Sequence, residues 1–303
     1  MRERLERRAA VFSCIRGYFD ASGAVEVRTP VIAAHATSEP TLRNLEIARD
    51  DGPRFLRTSP EAALKGLLAA GAGDLYELGP VFRAEEAGRL HREEFTLLEW
   101  YRVGIDHHRL MDDVVGLLSA CGYRGTPSRL TYKALFETVY GSDPHIIDTA
   151  ELQALVRAGG LAPPAETSDD RAFLFDALYA LGLEQQLAGQ GAVLLHDFPA
   201  ELRAYARLQT TPPYAAERFE LVIDGVELAN GYHEIIDAAE QAACFERENA
   251  LRVRRGLGPV AIDERWLAAL ARGLPACAGV ALGIERLLMI LEGTSDIAGV
   301  AHT

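Results

Sequence analysis

The period of the apolar residues changes several times along the chain, and each change marks an element boundary. Leu5, Ala9, Phe12, Ile15 and Phe19 recur at helical spacing over residues 2 to 22, and Gly23 stops the run. Val25 and Val27 then alternate as a short strand that Thr29-Pro30 ends. The polar, turn-rich segment His35 to Pro53 predicts a hairpin or flap. Thr58-Ser59-Pro60-Glu61 opens a helix that runs through Ala70, with Ser59 as N-cap and proline at the first helical position. After a break at Gly71 to Asp74, Leu75 to Arg83 reads as a strand, Glu85 to Arg92 as a charged loop and Glu94 to Arg102 as the next strand. Asp106 to Gly122 predicts an amphipathic helix.

Residues 123 to about 190 have a different texture, with helical pieces (Tyr132–Tyr140, Thr149–Ala158, Asp169–Leu187) joined by Gly and Pro segments. They read as a helical insertion packed on the main body, within a single domain spanning 1–303. Val193 to His196 is a buried strand ended by Phe198-Pro199. Phe219 to Ile223 and Val226 to Asn230 flank Asp224-Gly225, a two-residue hairpin turn of the favoured type. Ala238 to Arg254 and Asp263 to Arg272 are helices. Val280 to Gly283 is a small-residue strand feeding directly into a helix from Ile284 to Leu291.

Strand alternation gives the segment EFTLLEWYR, Glu94 to Arg102, two distinct sides. Thr96, Leu98 and Trp100 make an ordinary core face. Phe95, Leu97, Glu99 and Tyr101 place an aromatic, a carboxylate and a phenol in line, preceded by Arg83, Glu85, His91 and Arg92. A flat ring can stack on a base, a guanidinium can hold a phosphate, and a buried carboxylate demands a cation. The segment reads either as a nucleotide site beside an ammonium group or as an amphipathic edge strand with solvated charges.

In the hairpin, pairing of Ile223 with Val226 makes Glu220 and Glu227 diagonal neighbours on one face. The pair is either a wet strand face or a site for Mg²⁺, which takes a couple of carboxylates plus phosphate oxygens. Asn230 and Glu234 follow as a second amide–acid pair able to meet Glu99 and Tyr101 around an ammonium. In Gly279-Val-Ala-Leu-Gly283-Ile-Glu-Arg286, small residues let a flat ligand approach the backbone, and Arg286 falls in the first turn of a helix, where phosphate binds well. A structural arginine reaching to the surface fits the same segment. His107-His108 near Asp106, Asp112 and Asp113 are not expected to bind metal, because adjacent histidines on a helix point apart. His196-Asp197 reads as a strand end, and Ser59 has no evident histidine partner.

The 303 residues, 49% apolar, provide for a substantial core. No run of about 18 apolar residues predicts a membrane span, and the charged N-terminus does not read as a signal peptide. Cys14, Cys121, Cys244 and Cys277 are scattered without a Cys-x-x-Cys pair, which suits reduced thiols in a cytoplasmic protein. The net charge of −13 argues against a broad nucleic-acid footprint and suits a basic protein partner.

Three blocks in order resemble the signature motifs of class II aminoacyl-tRNA synthetases: a long helix followed by Val25-Glu-Val-Arg-Thr-Pro30, then Phe82-Arg83-Ala-Glu85 with a loop and Glu94-Phe95, then the glycine-rich strand ending in Glu285-Arg286. TSPE at 58–61, EFTLLEWY at 94–101 and ELANGYHE at 227–234 resemble the lysyl branch. Within it, the chain is most similar to the truncated group that modifies translation elongation factor P. The first helix begins at residue 2, so no anticodon-binding OB domain is expected, and Ala281 stands where lysyl-tRNA synthetases carry glycine. In the truncated group, alanine there goes with preference for (R)-β-lysine over α-lysine.

The resemblance implies an α+β fold, an antiparallel six- or seven-stranded sheet flanked by helices, dimerising near Pro30. It implies ATP-dependent activation of lysine or (R)-β-lysine and transfer to elongation factor P, with Mg²⁺ as cofactor. By position it assigns Arg83 to the α-phosphate and carboxylate, Glu85 to adenine, and His91 and Arg286 to the β- and γ-phosphates, with Phe95 and Arg286 sandwiching the ring. Arg83 and Arg286 are thus the catalytic pair. Leu228 and Gly283 would lie against the nucleotide, and Glu220 and Glu227 would bind magnesium, Glu227 also serving ATP. Ser59, Glu61 and Ala281 fall to the amino-acid end, and Glu99, Tyr101, Asn230 and Glu234 to its side-chain end. One departure is His91-Arg92-Glu93, where the family has His-Asn-Pro; Arg92 replaces an ATP-contacting asparagine. A tRNA-charging enzyme and an inactive amino-acid sensor are the alternatives. The acidic balance and absent OB domain weigh against the first, and the presence of Arg83, Glu220, Glu227 and Arg286 against the second.

Overall fold

Alternation along the strand Glu94–Val103 divides the molecule into two faces. Leu98 and Trp100 are fully buried in the main core, while Leu97, Glu99 and Tyr101 line a cavity on the other side. The computed structural model describes residues 2–300. In chain order the strands are Val25–Glu26 (β1), Ile32–Ala33 (β2), Glu46–Ile47 (β3), Arg54–Leu56 (β4), Leu75–Phe82 (β5), Glu94–Val103 (β6), Ser128–Thr131 (β7), Ala192–Phe198 (β8), Ala216–Ile223 (β9), Val226–His233 (β10) and Cys277–Gly283 (β11). The α-helices are Arg2–Ser22 (α1), Glu61–Ala69 (α2), His107–Ala120 (α3), Tyr132–Tyr140 (α4), Thr149–Ala158 (α5), Arg171–Leu178 (α6), Glu184–Leu187 (α7), Ala238–Arg254 (α8), Glu264–Ala271 (α9) and Ile284–Glu292 (α10).

Among the described residues the main sheet has eight strands in the order β1–β5–β6–β11–β10–β9–β8–β7. The six central strands are antiparallel, as expected, and β1 and β7 add one parallel strand at each edge. The segment expected as a hairpin or flap contributes β3, which forms an antiparallel hairpin with β4; β4 also pairs with β2, giving a small three-stranded sheet β2–β4–β3. The turn at Asp224-Gly225 has both residues at positive φ, the conformation that lets a two-residue loop follow the strand twist.

Helices α1, α3 and α10 cover the core face of the sheet. Phe19 stacks on Tyr76 at 4.3 Å and meets Trp100 edge-on at 5.5 Å. Each such buried aromatic contributes about 1.5–3 kcal/mol relative to exposure. Asp113 ties α1, β6 and α3 together by accepting hydrogen bonds from the Tyr18 hydroxyl, Trp100 Nε1 and Arg102 Nε. Residues 132–187 form a second apolar cluster that shares Val193, Leu195, Phe198 and Val222 with the sheet. Asp169–Leu187 is helical but not uniform: α6 passes through a π-helical turn at Tyr179–Leu183 before α7. Asp106, Thr131, Asp148, Asp170, Asp237 and Asp263 each accept a backbone N–H in the first turn of their helices. No helix among the described residues is long and apolar enough to cross a membrane.

Candidate active site

Strand register sets the floor of the cavity. Glu99 pairs with Ala281, Ala281 with Asn230, and Asn230 with Glu220, so these four side chains form one row across β6, β11, β10 and β9. The neighbouring row is Tyr101, Gly279 and Tyr232. The cavity above them has a volume of about 510 Å³, within the range of small-ligand sites. Gly279 is required by close approach: a Cβ there would stand 2.3 Å from Tyr101 Cε1 and 2.6 Å from Glu234 Oε1.

The inner end of the cavity is acidic. Glu99 Oε1 accepts from the Tyr101 hydroxyl at 2.9 Å, and Glu99 Oε2 from Ser59 Oγ at 2.7 Å. Burial, reinforced by the nearby Glu61 charge, pushes Glu99 up to about 7. Burial likewise raises Glu234 to about 8, with Lys65 opposing the shift. The ammonium of Lys65, fully buried, lies 2.6 Å from Glu61 Oε1 and 2.7 Å from Glu234 Oε2. The second contact has the distance of an ion pair without the alignment of a hydrogen bond, and leaves Glu234 Oε2 otherwise unpartnered. The Lys65 ammonium also stands over Trp266 at 5.1 Å and Tyr205 at 5.7 Å.

The outer part carries cations. Arg83 lies 5.1 Å over the Phe95 ring, and its Nε is buried with no hydrogen-bond partner among the described residues. Its nearest carboxylate, on Glu86, is 3.8 Å away, so this guanidinium is largely uncommitted. Arg286, in the first turn of α10, donates to the carbonyls of Leu90 (3.3 Å) and Glu227 (2.6 Å), and its Nη2 is 2.6 Å from His91 Nε2. Burial and then the Arg286 charge lower the pKa of His91, so the ring is neutral at pH 7 and accepts from the guanidinium.

Glu220 and Glu227 lie on one face as the hairpin register predicted, but a bulge between Glu227 and Ala229 brings Asn230 opposite Glu220. Glu220 is held by Arg218, whose Nε also donates to Asn230 Oδ1 at 3.2 Å. Burial raises Glu220 to about 7, against the pull of Arg218 and with the help of Glu227. Two carboxylates on one face, one of them raised by the charge of the other, offer oxygen ligands that fit a hard divalent cation such as Mg²⁺.

Of the residues expected at the site, Ser59, Glu61, Arg83, His91, Arg92, Phe95, Glu99, Tyr101, Glu220, Glu227, Leu228, Asn230, Glu234, Ala281, Gly283 and Arg286 all line this one cavity. Glu85 does not: at φ 67° its side chain is turned outward, 79% exposed, 3.8 Å from Arg43, and Glu86 lines the cavity beside it. The helix after Ser59 begins one residue later than expected, at Glu61, with Pro60 in the capping position. Ser59 Oγ still accepts the Glu61 N–H at 2.9 Å while donating to Glu99. Sequence reasoning missed Lys65 and Arg218. Lys65 could have been found as the one cation on the apolar stripe with Leu64 and Leu68, four residues after Glu61, and Arg218 as the residue two before Glu220 on the same strand face. The histidines at 107 and 108 do not point apart: their rings are 4.1 Å from each other, because both sit in the opening turn of α3 against the ends of β8 to β10.

Comparison with known proteins places these residues in context. Residues 1–302 match the family described as tRNA synthetases class II (D, K and N). The elongation factor P–(R)-β-lysine ligase of Vibrio vulnificus (strain YJ016) is 43% identical over 302 residues, covering 97% of this chain and 93% of that protein. The enzyme of the same name from Vibrio cholerae is 41% identical over 300 residues, covering 97% and 92%. That from Yersinia enterocolitica is 39% identical over 302 residues, covering 98% and 93%.

Proposed function

The chain belongs to the class II tRNA synthetases of the D, K and N group, and from that membership we propose that it is an ATP-dependent ligase. It activates (R)-β-lysine, or lysine, as an aminoacyl-adenylate and passes the aminoacyl group to a lysine ε-amine of elongation factor P. The observation that carries this reading is the charge of the inner cavity. Three carboxylates, Glu61, Glu99 and Glu234, face one buried ammonium, Lys65. Burial holds Glu99 at about 7 and Glu234 at about 8 while no cation is bound. A ligand with two ammonium groups, which a lysine isomer supplies, would ionise both and balance the two carboxylates that Lys65 does not.

In the first step a carboxylate oxygen of the amino acid attacks the α-phosphorus of ATP, and the bond to pyrophosphate breaks. The uncommitted guanidinium of Arg83 is placed to hold the α-phosphate and the attacking carboxylate together, and Arg286 with His91 to hold the outer phosphates. Phe95 and Arg83 offer a flat surface and a cation beside it for the nucleotide. Mg²⁺ held by Glu220 and Glu227 would add charge neutralisation at the triphosphate. In the second step the acceptor amine attacks the adenylate carbonyl, AMP leaves, and an amide forms. No side chain of this enzyme needs to form a covalent bond. Ala281, in the floor between Glu99 and Asn230, is the residue we assign to discrimination between α- and β-lysine. Val25 and Ile32, 54% and 52% exposed on either side of Pro30, support a homodimer through that edge.

Incubation with ATP, each lysine isomer and purified elongation factor P, read by intact mass, tests the proposal. The expected product is the acceptor heavier by one lysyl residue, with (R)-β-lysine preferred. Efficient charging of total tRNA with no change in the acceptor's mass would overturn it, and so would absence of ATP–pyrophosphate exchange with every isomer.

A further inference from the structure

On the reverse face of the sheet, the ends of β8, β9 and β10 meet the first turn of α3, and a second polar cluster lies there. His107 and His108 come from α3, His196 and Asp197 from β8, Glu217 from β9 and His233 from β10. None of them lines the cavity. Strand alternation explains the separation: His233 lies between Tyr232 and Glu234, which both face the cavity, so its own side chain points away.

His107 is the centre of this cluster and is 3% exposed. Its Nε2 is 3.3 Å from Asp197 Oδ1, while its Nδ1 is buried without a hydrogen-bond partner among the described residues. Asp197 is itself fixed, with Oδ2 2.9 Å from His196 Nδ1 and Oδ1 accepting from Gln209 Nε2 at 3.2 Å. A carboxylate holding one imidazole nitrogen and leaving the other free is the arrangement that orients a metal-binding histidine. Nearby, His233 Nδ1 lies 2.6 Å from Glu217 Oε2. One ligand atom each from His107, Glu217 and His233 can be chosen so that all three lie within 4.8 Å of one another. Tetrahedral ligands at about 2.0–2.1 Å from zinc are roughly 3.3 Å apart, which lies between those two separations.

We propose that His107, Glu217 and His233 bind a divalent first-row ion of the zinc type, with Asp197 as the outer partner that sets the His107 ring. Two imidazoles and one carboxylate are a ligand set such ions accept, with a fourth position left for water. The ion must bind His107 through Nδ1, the nitrogen that Asp197 leaves free; it would give that buried atom a partner and replace the contact between Arg207 Nε and Glu217, which are 3.5 Å apart. A second grouping, His107, His108 and Asp197, has a similar spread, but it draws on an Asp197 already committed to His107, His196 and Gln209. The ion would pin the strand ends that carry Arg218 and Glu234 into the cavity on the other side.

The test uses the full chain, stripped with chelator and then dialysed against zinc in excess Mg²⁺, so that Glu220 and Glu227 are occupied. Metal content is measured by mass spectrometry. The expected result is one zinc per chain, lost in Glu217→Gln and in His233→Gln and retained in His108→Ala, with Asp197→Asn weakening affinity about 10–100-fold. Cobalt substitution in the unmutated chain should give the visible absorption of a four-coordinate nitrogen–oxygen site, a readout that needs no variant to fold. Absence of that spectrum, zinc uptake unchanged in Glu217→Gln and His233→Gln, or loss of uptake in His108→Ala would each overturn the assignment.

Discussion

Replacing Lys65 by methionine removes the cation that two buried carboxylates share, and its cost follows from the geometry. Methionine matches the length of the lysine stem but leaves Glu61 and Glu234 facing each other without the ammonium 2.6 and 2.7 Å away. Breaking one side of a buried ion pair costs about 3–5 kcal/mol, and the lost contact with the Trp266 and Tyr205 rings adds about 0.5–2 kcal/mol. That is a large fraction of the roughly 5–15 kcal/mol by which a domain is stable. Burial pulls the Lys65 pKa down, but Glu234 and Glu61 outweigh it and the net shift is upward. Its stabilising effect is therefore complete below the ordinary lysine range and disappears only as pH rises above it. In the variant the stranded carboxylates take up protons, so the penalty should be smaller at pH 5.5 than at pH 8, each unit of raised pKa being worth about 1.4 kcal/mol. Urea denaturation at both pH values measures it. Glu234→Gln in the Lys65→Met background should recover part of the loss, with a coupling of about 0.5–3 kcal/mol in the double-mutant cycle. A Lys65→Met variant within about 1 kcal/mol of the parent at pH 8, or a cycle that is simply additive, would refute the shared-ammonium argument.

Three further outcomes follow from the same floor of the cavity. Because burial raises Glu99 to about 7, its carboxylate forms only as pH rises through that value. The KM for lysine in ATP–pyrophosphate exchange should therefore fall as pH rises through 7, by up to about tenfold per unit, and level off only above about 8, where Glu234 is also ionised. Glu99→Gln should remove the part of the dependence that lies below about 7 and leave the Glu234 part. The same upward shift means Glu99 favours the folded state fully below the ordinary glutamate range, an effect lost as pH climbs to about 7. Gly279→Ala would drive a methyl into Tyr101 and Glu234, so calorimetry should show lysine binding lost and ATP binding kept, with a stability cost of about 1–3 kcal/mol. Ala281→Gly opens the floor between Glu99 and Asn230; competition between isomers should shift toward α-lysine, by up to about tenfold if one methyl contact decides the choice.

Alternation made much of this site legible in advance. Glu99 and Tyr101 share a face because they are two residues apart on a strand, and the Asp224-Gly225 turn fixed which residues of β9 and β10 pair first. Beyond that turn the register slips at the Glu227/Ala229 bulge, which no local signal in the chain announces. What periodicity could not supply was the identity of the neutralising partner. A buried carboxylate must find a cation, yet whether that cation is a bound ammonium or Lys65 depends on where α2 docks against β10. Glu85 lies outside the cavity for a different reason: in a loop, a single left-handed φ decides whether a side chain enters a cavity or leaves it. The histidine cluster shows the limit most clearly. On its helix alone His107 offers nothing, and only the convergence of β8, β9 and β10 brings Asp197, Glu217 and His233 to it. One consequence of strand geometry joins the two sites. The alternation that turns Glu234 into the cavity turns His233 out behind it, so an ion held at the back would fix the strand whose front places Glu234 beside Lys65.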